Sequence, residues 1–488
     1  MTRKSLCCPG FRCVFAGLLL IAGLTSRGAP GSAGVFNVLD LGAKGDGTSN
    51  DTVAVQKAVD ACAANGGGQV LLPGGKTFLT GTLTLRSAVD FHLASGAVLK
   101  GSSNWRDYLP AGALLFAKDA TNVIVSGDGA IDGNDAAVWQ KLADELAGGD
   151  INKPNWWPES FVGDWWPFGK ALGTLDSKPG RPLMVIFIGC QQVKFRDVTL
   201  RAAPSWTVHL IGCEDVSIQS ISLLNSWDVP NNDGIDLDHC RDVRVANCLI
   251  RCADDGIVVK NTPNFAAYGD SERITVTGCV IESRSAALKI DEIYTGAARD
   301  VVFADCVIRR SNRGLCIQTR DIGDIENVLF ANITVETRYW TGKWWGAGEP
   351  IHVSHVPRNP GTKLGLVRNI RFNNILCRGE NGIFIHGDSS RPIEGLQLDN
   401  VRVELTKTGD ETGGFYDLRP QGGVFNGVFT NKLAGIYARH LSGLTVRDSK
   451  VVWGKLPGNY FGDALDQADV AGLELDHFTG GPAPEMKK

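Results

Sequence analysis

An eight-residue pattern that recurs nine times limits most strongly how this chain can fold. Each copy has apolar residues at positions 1 and 3, and every copy except the one with Ser220 has Gly, Asn or Asp at position 5. Successive copies begin 23, 27, 31, 27, 27, 42, 26 and 48 residues apart. The copies are VKFRDVTL from Val193, VSIQSISL from Val216, VRVANCLI from Val243, ITVTGCVI from Ile274, VVFADCVI from Val301, VLFANITV from Val328, IRFNNILC from Ile370, LQLDNVRV from Leu396 and LTVRDSKV from Leu444.

This spacing predicts a solenoid whose coils stack on one another. Apolar residues alternate within each copy, which indicates strands rather than helices. We therefore predict an all-β parallel β-helix, in which the longer spacings contain loops inserted between coils. A β-sandwich or a propeller is the alternative, but it would need hairpin turns about every 8 to 12 residues or blades of about 40 residues.

The segment before the repeats predicts a helical cap on the solenoid. A short strand at 36–39 leads into a turn rich in glycine, and Asn50 or Asp51 can begin a helix. Val55, Ala58 and Val59, with Cys62, fall on one apolar face of that helix, and the glycines at 66–68 end it. We expect residues 34–488 to be a single β-helical domain, with 34–69 forming the N-terminal strand and capping helix, and no second long helix after residue 70.

Residues 1–33 have the order of an export signal. Arg3, Lys4 and Arg12 precede an apolar run at 14–24, and small residues follow at 31–33. The alternative is a buried N-terminal helix. We expect a signal peptide, a secreted or periplasmic protein and, once the signal is removed, no membrane association. The chain carries a net charge of −4, and removing the four basic residues of 1–33 makes it about −8, which argues against nucleic acid as a partner.

Cysteines recur at equivalent positions of successive copies. Cys190, Cys213 and Cys240 each lie three residues before a copy, and another set occupies position 6 of three copies: Cys248, Cys279 and Cys306. Equivalent residues of stacked coils lie about 4.8 Å apart, so we expect two ladders of cysteines. We interpret them as small buried side chains rather than as disulfides or metal ligands.

Two segments rich in tryptophan interrupt the repeats, at 139–180 and at 339–360. The first contains Trp156, Trp157, Trp165 and Trp166, and the second contains Trp344 and Trp345. Aromatic rings on long loops can stack on sugars, or they can pack the loops onto the solenoid. The sequence leaves both possibilities open.

Three carboxylates converge in the segment 231–260. Asp233 precedes Asp254 by 21 residues and Asp255 by 22, which is close to one coil, so all three are expected on neighbouring coils. Adjacent Asp254 and Asp255 can serve one cleft only if the chain bends, and Gly256 permits a bend. Clustered carboxylates repel, so one should hold a proton as general acid while the others orient a water, as glycosidic hydrolysis requires. Asn231 and Asp236 complete the polar patch.

Aspartates can also simply satisfy turns at the ends of strands. For Asp236 and Asp238 we favour that interpretation, whereas for the three clustered aspartates we favour catalysis.

Several motifs resemble glycoside hydrolase family 28, the polygalacturonase and rhamnogalacturonan hydrolase family. They are FNVLDLGAKGDGTSNDTVAVQKAVDAC from Phe36, GAVLKGS from Gly96, IDG from Ile131, NNDGID from Asn231 and ADD from Ala253. The resemblance implies a right-handed parallel β-helix that hydrolyses pectic chains with inversion and without a metal. It also implies that Asp254 is the general acid and that Asp233 and Asp255 activate the water, with carboxyl groups about 6.5 to 9.5 Å apart.

The chain departs from this family at two motifs. The family's Gly-His-Gly falls at 285–287, where Ala286 replaces the histidine, and its Arg-Ile-Lys falls at 316–318, where Cys316 and Gln318 replace the charged residues. A thiol and an amide cannot pair with a uronate, so we expect the sugar at the cut to differ from plain galacturonate. His352 and His355 could replace the lost histidine from a loop, but we favour structural roles for both.

Polar residues along the same column are candidate substrate contacts. They are Asn231, Lys260, Lys289, Asp291, Arg313, Gln318 and Arg320, with Trp344 and Trp345 from the second loop. Glu292 lies beside them. Lys260 and Lys289 can alternatively be surface charges.

We expect an exported hydrolase of pectic or related polysaccharide, acting as a monomer on a poly- or oligosaccharide and without a cofactor. One alternative is a polysaccharide lyase, which would typically use Ca²⁺ and release an unsaturated product. Another is a carbohydrate-binding β-helix without catalysis. The sequence leaves the glycan, and exo against endo action, open.

Overall fold

The computed structural model describes residues 34–147, 181–340, 345–409, 413–419 and 427–485, with the side chains of 143–147 left out. The chain winds into a parallel β-helix, as predicted, because nearly every strand pairs with the equivalent strand of the coils before and after it. A full coil contains three strands, and these form three stacks, named A, B and C. The signal-peptide prediction for residues 1–33 lies outside the described residues.

The strands of each stack run parallel along the solenoid. Stack A contains Leu83–Thr84, Ala113–Lys118, Leu183–Ile188, Val208–Ile211, Ile235–Asp238, Ile257–Asn261, Ala286–Ile293, Arg313–Thr319, Ile351–His355, Ile383–His386 and the start of Ile436–Arg447. Stack B contains Gly34–Asn37, Gly68–Leu72, Val89–Leu93, Thr121–Ser126, Gln191–Arg196, Glu214–Gln219, Arg241–Ala246, Ser271–Thr277, Ala297–Ala304, Asp324–Thr337, Val367–Gly379, Ile393–Leu405, Ile436–Arg447 and Leu465–Asp476. Stack C contains Asp46–Asn50, Thr77–Thr80, Val98–Gly101, Ala130–Asp132, Thr199–Arg201, Ser222–Leu224, Leu249–Cys252, Val280–Ser283, Val307–Ser311, the later parts of Asp324–Thr337, Val367–Gly379 and Ile393–Leu405, and Lys450–Trp453. A separate antiparallel pair joins Phe415–Asp417 to Val428–Thr430.

The fifth position of the repeat has a backbone reason for its composition. In all nine copies this residue has a left-handed backbone, with φ between 47° and 67°, at the turn from stack B to stack C. The residue just before each copy is also left-handed, with φ between 52° and 88°. Glycine, asparagine and aspartate tolerate this conformation best, which explains their recurrence at position 5. Ser220, the one exception, adopts it with φ 55°.

The interior is filled by ladders of identical or similar side chains. Phe303, Phe330 and Phe372 stack at ring-centroid distances of 4.9 and 4.8 Å. The two predicted cysteine ladders are present, because Cys213 neighbours the thiols on either side of it and Cys279 does the same. All ten cysteines in the described residues are buried and unpaired.

The described residues contain two α-helices and three short 3-10 helices. The predicted cap is the helix α1, Thr52–Ala64, which buries Val55, Ala58, Val59 and Cys62. A second helix, α2, spans Asp135–Ala147 and was not predicted. Val138 and Leu142, one helical turn apart, pack with Trp105, and the good helix formers Gln140 and Lys141 lie between them. The 3-10 helices are Val38–Leu41, Trp105–Tyr108 and Pro263–Tyr268.

The predicted insertions are only partly loops. The segment 139–180 begins inside α2, and its four clustered tryptophans lie outside the described residues. The segment 339–360 contains the stack A strand Ile351–His355. Among the described helices, none combines the length and the apolar character that crossing a membrane would require.

Candidate active site

Three aspartates meet where the chain turns from stack C into stack A. Ile235–Asp238 and Ile257–Asn261 pair in parallel, with Ile235 opposite Ile257. Asp233 and Asp255, two residues before each strand, therefore lie on neighbouring coils, and Gly234 N donates to Asp255 O at 2.8 Å. One carboxylate oxygen from each of Asp233, Asp254 and Asp255 lies within 4.8 Å of the others.

Two glycines permit the close approach of these turns. A Cβ on Gly234 would lie 2.2 Å from the carbonyl oxygen of Gly256, and a Cβ on Gly256 would lie 2.5 Å from the carbonyl oxygen of Ala287. Residues 253–256 form a bend between strands rather than a continuation of one. Because of this bend, the adjacent Asp254 and Asp255 both reach the same cluster.

Asp255 is held as a hydrogen-bond acceptor on both of its oxygens. Ser285 Oγ donates to Oδ1 at 2.8 Å, and Lys289 Nζ donates to Oδ2 at 2.9 Å. The side chain is buried, and the backbone N–H of Ala286 approaches Oδ1 at 3.4 Å. Both oxygens of the carboxylate are therefore held by donors from the neighbouring coil.

Asp254 is the most solvent-accessible of the three aspartates. Its Oδ2 accepts from the backbone N–H of Asn231 at 3.3 Å and from Asn231 Nδ2 at 3.5 Å, while its Oδ1 accepts from the backbone N–H of Asp255. Burial and the neighbouring charge of Asp255 raise the pKa of Asp254 to about 7. A carboxyl group with such a pKa can carry a proton at neutral pH and donate it, as a general acid must.

Asp233 is buried with few polar contacts to offset the loss of solvent. Its Oδ1 has no hydrogen-bond partner in the described part of the chain, and its Oδ2 lies 3.7 Å from Lys260 Nζ. Burial, Asp236 and Asp254 raise the pKa of Asp233 well above its usual range. Asp233 and Asp254 therefore both bind a proton more readily than an ordinary aspartate.

Lys260 balances the charge beneath the cluster and is not a surface cation. Its Nζ lies 3.0 Å from Asp236 Oδ1, 3.7 Å from Glu292 Oε2 and 3.9 Å from the ring centroid of Trp206. Burial disfavours the charged lysine, but Asp236, Glu292 and Asp233 outweigh it and raise the pKa of Lys260 well above its usual range. The surface-charge alternative for Lys260 is wrong, because only 4% of the residue is exposed.

Asp236 and Asp238 are interior strand residues, so the turn interpretation fails for Asp236. Both are fully buried on Ile235–Asp238. Asp236 pairs with Lys260, whereas Asp238 accepts from the backbone N–H and hydroxyl of Thr262, at 2.9 and 2.6 Å, and so does satisfy the turn after the next strand.

Lys289 belongs to a buried chain of alternating charges. Its Nζ lies 2.8 Å from Asp291 Oδ2, and Asp291 Oδ1 accepts from Arg320 at 2.6 Å. Because all three are almost fully buried, the surface-charge alternative is wrong for Lys289 as well. Burial disfavours ionised Asp291, but Arg320 and Lys289 overcome it and hold its pKa below the usual range.

Arg313 and Gln318 lie behind the site. Arg313 is fully buried, donates to Gln318 Oε1 at 3.2 Å and to the carbonyl oxygen of Asp417 at 2.8 Å, and lies 3.8 Å from Glu349. Gln318 Nε2 donates to the carbonyl oxygen of Arg419 at 3.2 Å. The predicted substrate contact for these two residues is therefore not available in this structure.

The described tryptophans of the second insertion differ in their surroundings. Trp340 packs edge-to-face on Trp227, at 5.3 Å between centroids, and so secures its loop. Trp345 is partly exposed, and the guanidinium groups of Arg320 and Arg419 lie 5.3 and 5.1 Å from its ring. Trp344 lies outside the described residues.

The two histidines are structural, as favoured. His352 and His355 are buried on the strand Ile351–His355, not on a loop. His352 stacks on Phe384 at 5.1 Å, and His355 contacts the hydroxyl of Thr319. Burial lowers the pKa of each histidine to about 4, so both are neutral at neutral pH.

Three residues at the site were missed from the sequence: Arg181, Trp206 and Ser285. Arg181 donates to Pro230 O at 2.6 Å and to Asn231 Oδ1 at 3.1 Å, supporting the turn that holds Asp233. Trp206 lies two residues before a stack A strand, as Asp233 and Asp255 do. Counting back two residues from each of these strands would therefore have predicted it. Arg181 carries no such signal.

Comparison with known proteins agrees with this arrangement. The family described as "Glycosyl hydrolases family 28" matches residues 62–413. A probable polygalacturonase from Vitis vinifera is 27% identical over 400 residues, which cover 76% of this chain and 74% of that protein.

Two solved structures share the right-handed β-helical fold. A hyperthermoactive exopolygalacturonase from Thermotoga maritima has a TM-score of 0.61 at 21% identity, covering 91% of this chain and 92% of its own. A family 28 exopolygalacturonase from Yersinia enterocolitica has a TM-score of 0.62 at 18% identity, covering 91% and 78%. With more than half of its length matched by the family, this chain belongs to family 28 of the glycosyl hydrolases and is a glycosidase that hydrolyses O-glycosyl bonds.

Proposed function

We propose that this protein is an exported hydrolase of pectic polysaccharide, in which Asp254 is the general acid and Asp255, with Asp233, activates the water. One observation carries the proposal: three carboxylates share one cluster, yet their surroundings are unequal. Asp255 contacts a lysine, whereas burial and a neighbouring charge favour the proton on Asp254. Pairs of carboxyl groups whose environments separate their pKa values are the usual acid and base of glycosidases.

In the proposed reaction, Asp254 gives its proton to the glycosidic oxygen as the bond from that oxygen to the anomeric carbon breaks. Water adds to the anomeric carbon and passes a proton to Asp255 or Asp233. The cluster therefore holds one added proton before and after the reaction. Since Asp254 and Asp255 are adjacent, that proton returns to Asp254 over a short path before the next cycle.

We further propose inversion at the anomeric carbon. The expected separation of about 6.5 to 9.5 Å between carboxyl groups, which is typical of inverting enzymes, is not found between the nearest oxygens of this cluster, which lie within 4.8 Å of one another. The proposal of inversion therefore rests on membership of family 28 and not on this distance. A water about 2.8 Å from each of two oxygens bridges a gap of up to about 5.6 Å, so one water can contact Asp233 and Asp255 together. This geometry supports joint activation of a single water by these two residues.

The sugar at the cut is proposed to differ from plain galacturonate. Burial raises the pKa of Cys316 to about 12, so this residue is a neutral thiol, and the Gln318 amide bonds to Arg313 and to the backbone of Arg419. Neither residue offers a charge to a uronate. Trp345, which is partly exposed beside Arg320, is the better candidate contact for a sugar.

The test is hydrolysis of defined substrates by the purified protein. Homogalacturonan, rhamnogalacturonan and oligosaccharides of known sequence are incubated with it, products are separated by size, and their first anomeric configuration is read by proton NMR. We expect new reducing ends of inverted configuration, insensitive to a chelator. An unsaturated, chelator-sensitive product would support a lyase instead, and glycan binding without any cleavage would support a binding module.

The pH profile tests the role of Asp254. Because a general acid must be protonated and the pKa of Asp254 is about 7, kcat/KM should fall as pH rises through about 7. Rates are measured from pH 4 to pH 10, with oligosaccharide binding to Asp254→Asn as the control for pH effects on affinity. Constant kcat/KM up to pH 9 would contradict the assignment.

A further inference from the structure

Asp254 and Asp255 are neighbours in sequence, and Lys289 donates a hydrogen bond to Asp255. Lys289 Nζ lies 2.9 Å from Asp255 Oδ2, and Ser285 Oγ lies 2.8 Å from Asp255 Oδ1. Asp254 accepts hydrogen bonds from Asn231 and from the backbone N–H of Asp255, which are uncharged donors. The chain thus separates two adjacent carboxylates by what each is bonded to.

Lys289 is fixed where it stands. Only 3% of it is exposed, and its second contact, Asp291, is itself bonded to Arg320. Burial disfavours the charged form, but Asp255 and Asp291 outweigh it and raise the pKa of Lys289 above its usual range. A buried lysine held between two carboxylates serves those carboxylates and is not placed to reach for a substrate.

Acids dominate the surroundings of Asp255. The titratable groups that act on it or contact it are Asp233, Asp236, Cys252, Asp254, Lys260, Lys289 and Cys316. Three of these are carboxylates, which oppose a negative charge on Asp255, and two are lysines, which favour it. Of the two lysines, Lys289 is the one within hydrogen-bond distance.

We propose that Lys289 is a positioning residue whose ion pair with Asp255 keeps that carboxylate ionised as the base while Asp254 holds the proton. This inference rests on the proposed function and adds to it a reason why Asp255 is the base and Asp254 the acid. Without Lys289, Asp255 would keep its hydrogen bonds from Ser285 and Ala286 but would lose the cation at its other oxygen. With it, the base and the acid are assigned before the substrate arrives.

The test compares Lys289→Met with Lys289→Arg. A contacting cation lowers the pKa of a carboxyl group by about 1 to 3, so in Lys289→Met the acidic limb of kcat/KM should move upward by about 1 to 3 pH units. At a pH below the acidic limbs of both proteins, kcat/KM should therefore be about 10- to 1,000-fold lower in Lys289→Met than in wild type. Lys289→Arg keeps the charge and should return the limb towards its wild-type position. An unchanged limb in folded Lys289→Met would overturn the proposal.

Lys407→Met is the matched control. Lys407 is also a buried lysine in an ion pair, with its Nζ 2.6 Å from Glu380 Oε2, and it contacts none of the three aspartates in the described structure. Its loss should lower the melting temperature without moving either limb. A limb shift in this variant as large as that in Lys289→Met would show that the effect follows from weakened folding, and it would also overturn the proposal.

Two measurements keep the test decisive. If Lys289→Met does not fold, Ser285→Ala replaces it, because this variant removes the donor to the other oxygen of Asp255. The acidic limb of Ser285→Ala should move in the same direction but by less, and no movement would count against the proposal. If the wild-type protein cleaves no substrate, the proposed function fails, but infrared titration of wild type minus Asp255→Asn still reports the protonation of Asp255. We expect protonation at lower pH in wild type than in Lys289→Met, and equal values would refute the inference.

Discussion

Asp254→Asn is expected to lower kcat by about 10²- to 10⁴-fold, the usual contribution of general acid catalysis. Asparagine preserves the shape of the side chain and its contact with Asn231 but cannot deliver a proton. Reducing-end release at pH 5 to 6, with substrate in excess, measures the loss. Because the change affects proton transfer, binding of an oligosaccharide should remain within a few-fold of wild type.

The same substitution should stabilise the folded protein at neutral pH. Burial and Asp255 raise the folded-state pKa of Asp254 to about 7, against about 3.9 for an ordinary aspartate, so ionising it favours unfolding as pH rises between these values. Above pH 7, the ionised Asp254 can lower the free energy of unfolding by at most about 4 kcal/mol. We expect about 1 to 3 kcal/mol, because the side chain is partly accessible to solvent. Asp254→Asn should therefore melt above wild type at pH 8 and level with it at pH 4.

Asp228→Asn is the control for both effects. Asp228 lies on the turn that leads to Asp233, and its side chain is 90% exposed. It should change neither kcat nor the melting temperature appreciably. Full activity in Asp254→Asn would remove the general acid from the mechanism, and equal melting temperatures at pH 8 would mean that its carboxyl group is not destabilised by burial.

Phe330→Ala is expected to lower the free energy of unfolding by about 3 to 5 kcal/mol. Phe330 is the middle ring of the stack with Phe303 and Phe372, and all three are buried. Its removal leaves a cavity between two rings that belong to fixed coils, so the walls cannot close it. Calorimetry or denaturant unfolding measures the change.

Leu376→Ala provides the comparison. Leu376 lies on the same strand as Phe372 but points outward, with 53% of its surface exposed. Its truncation should cost about 0.5 kcal/mol or less, as is usual for surface positions. A loss below about 1 kcal/mol in Phe330→Ala would show that the coils do move together to fill the space.

The sequence predicted the parts of the molecule that repeat. Position 5 of the eight-residue pattern recurs as Gly, Asn or Asp because it adopts a left-handed turn, as at Asn332, and counting residues from Asp233 to Asp255 predicted their place on adjacent coils. Both follow from period alone, because the coil fixes where each residue stands.

The spacing of residues does not reveal which side chains on the outer side of stack A are buried. Arg313 looks like an exposed charge, yet the carbonyl oxygen of Asp417, 104 residues further along, accepts its hydrogen bond. Contacts made by long inserted loops carry no period. The helix Asp135–Ala147 was missed for a related reason, since it interrupts the repeat instead of following it.

The paired left-handed residues around each stack B strand have an evolutionary consequence. They hold the strand and its tight turn to a constant length. The two long spacings instead add residues on either side of the stack A strand Ile351–His355 and between Leu405 and Ile436. Stack B and its turn into stack C thus have a constant length from coil to coil, whereas the segments next to stack A vary in length. Descendants of such a chain can lengthen or exchange the loops around the cleft, and so acquire new substrates, without rebuilding the frame that holds the three aspartates.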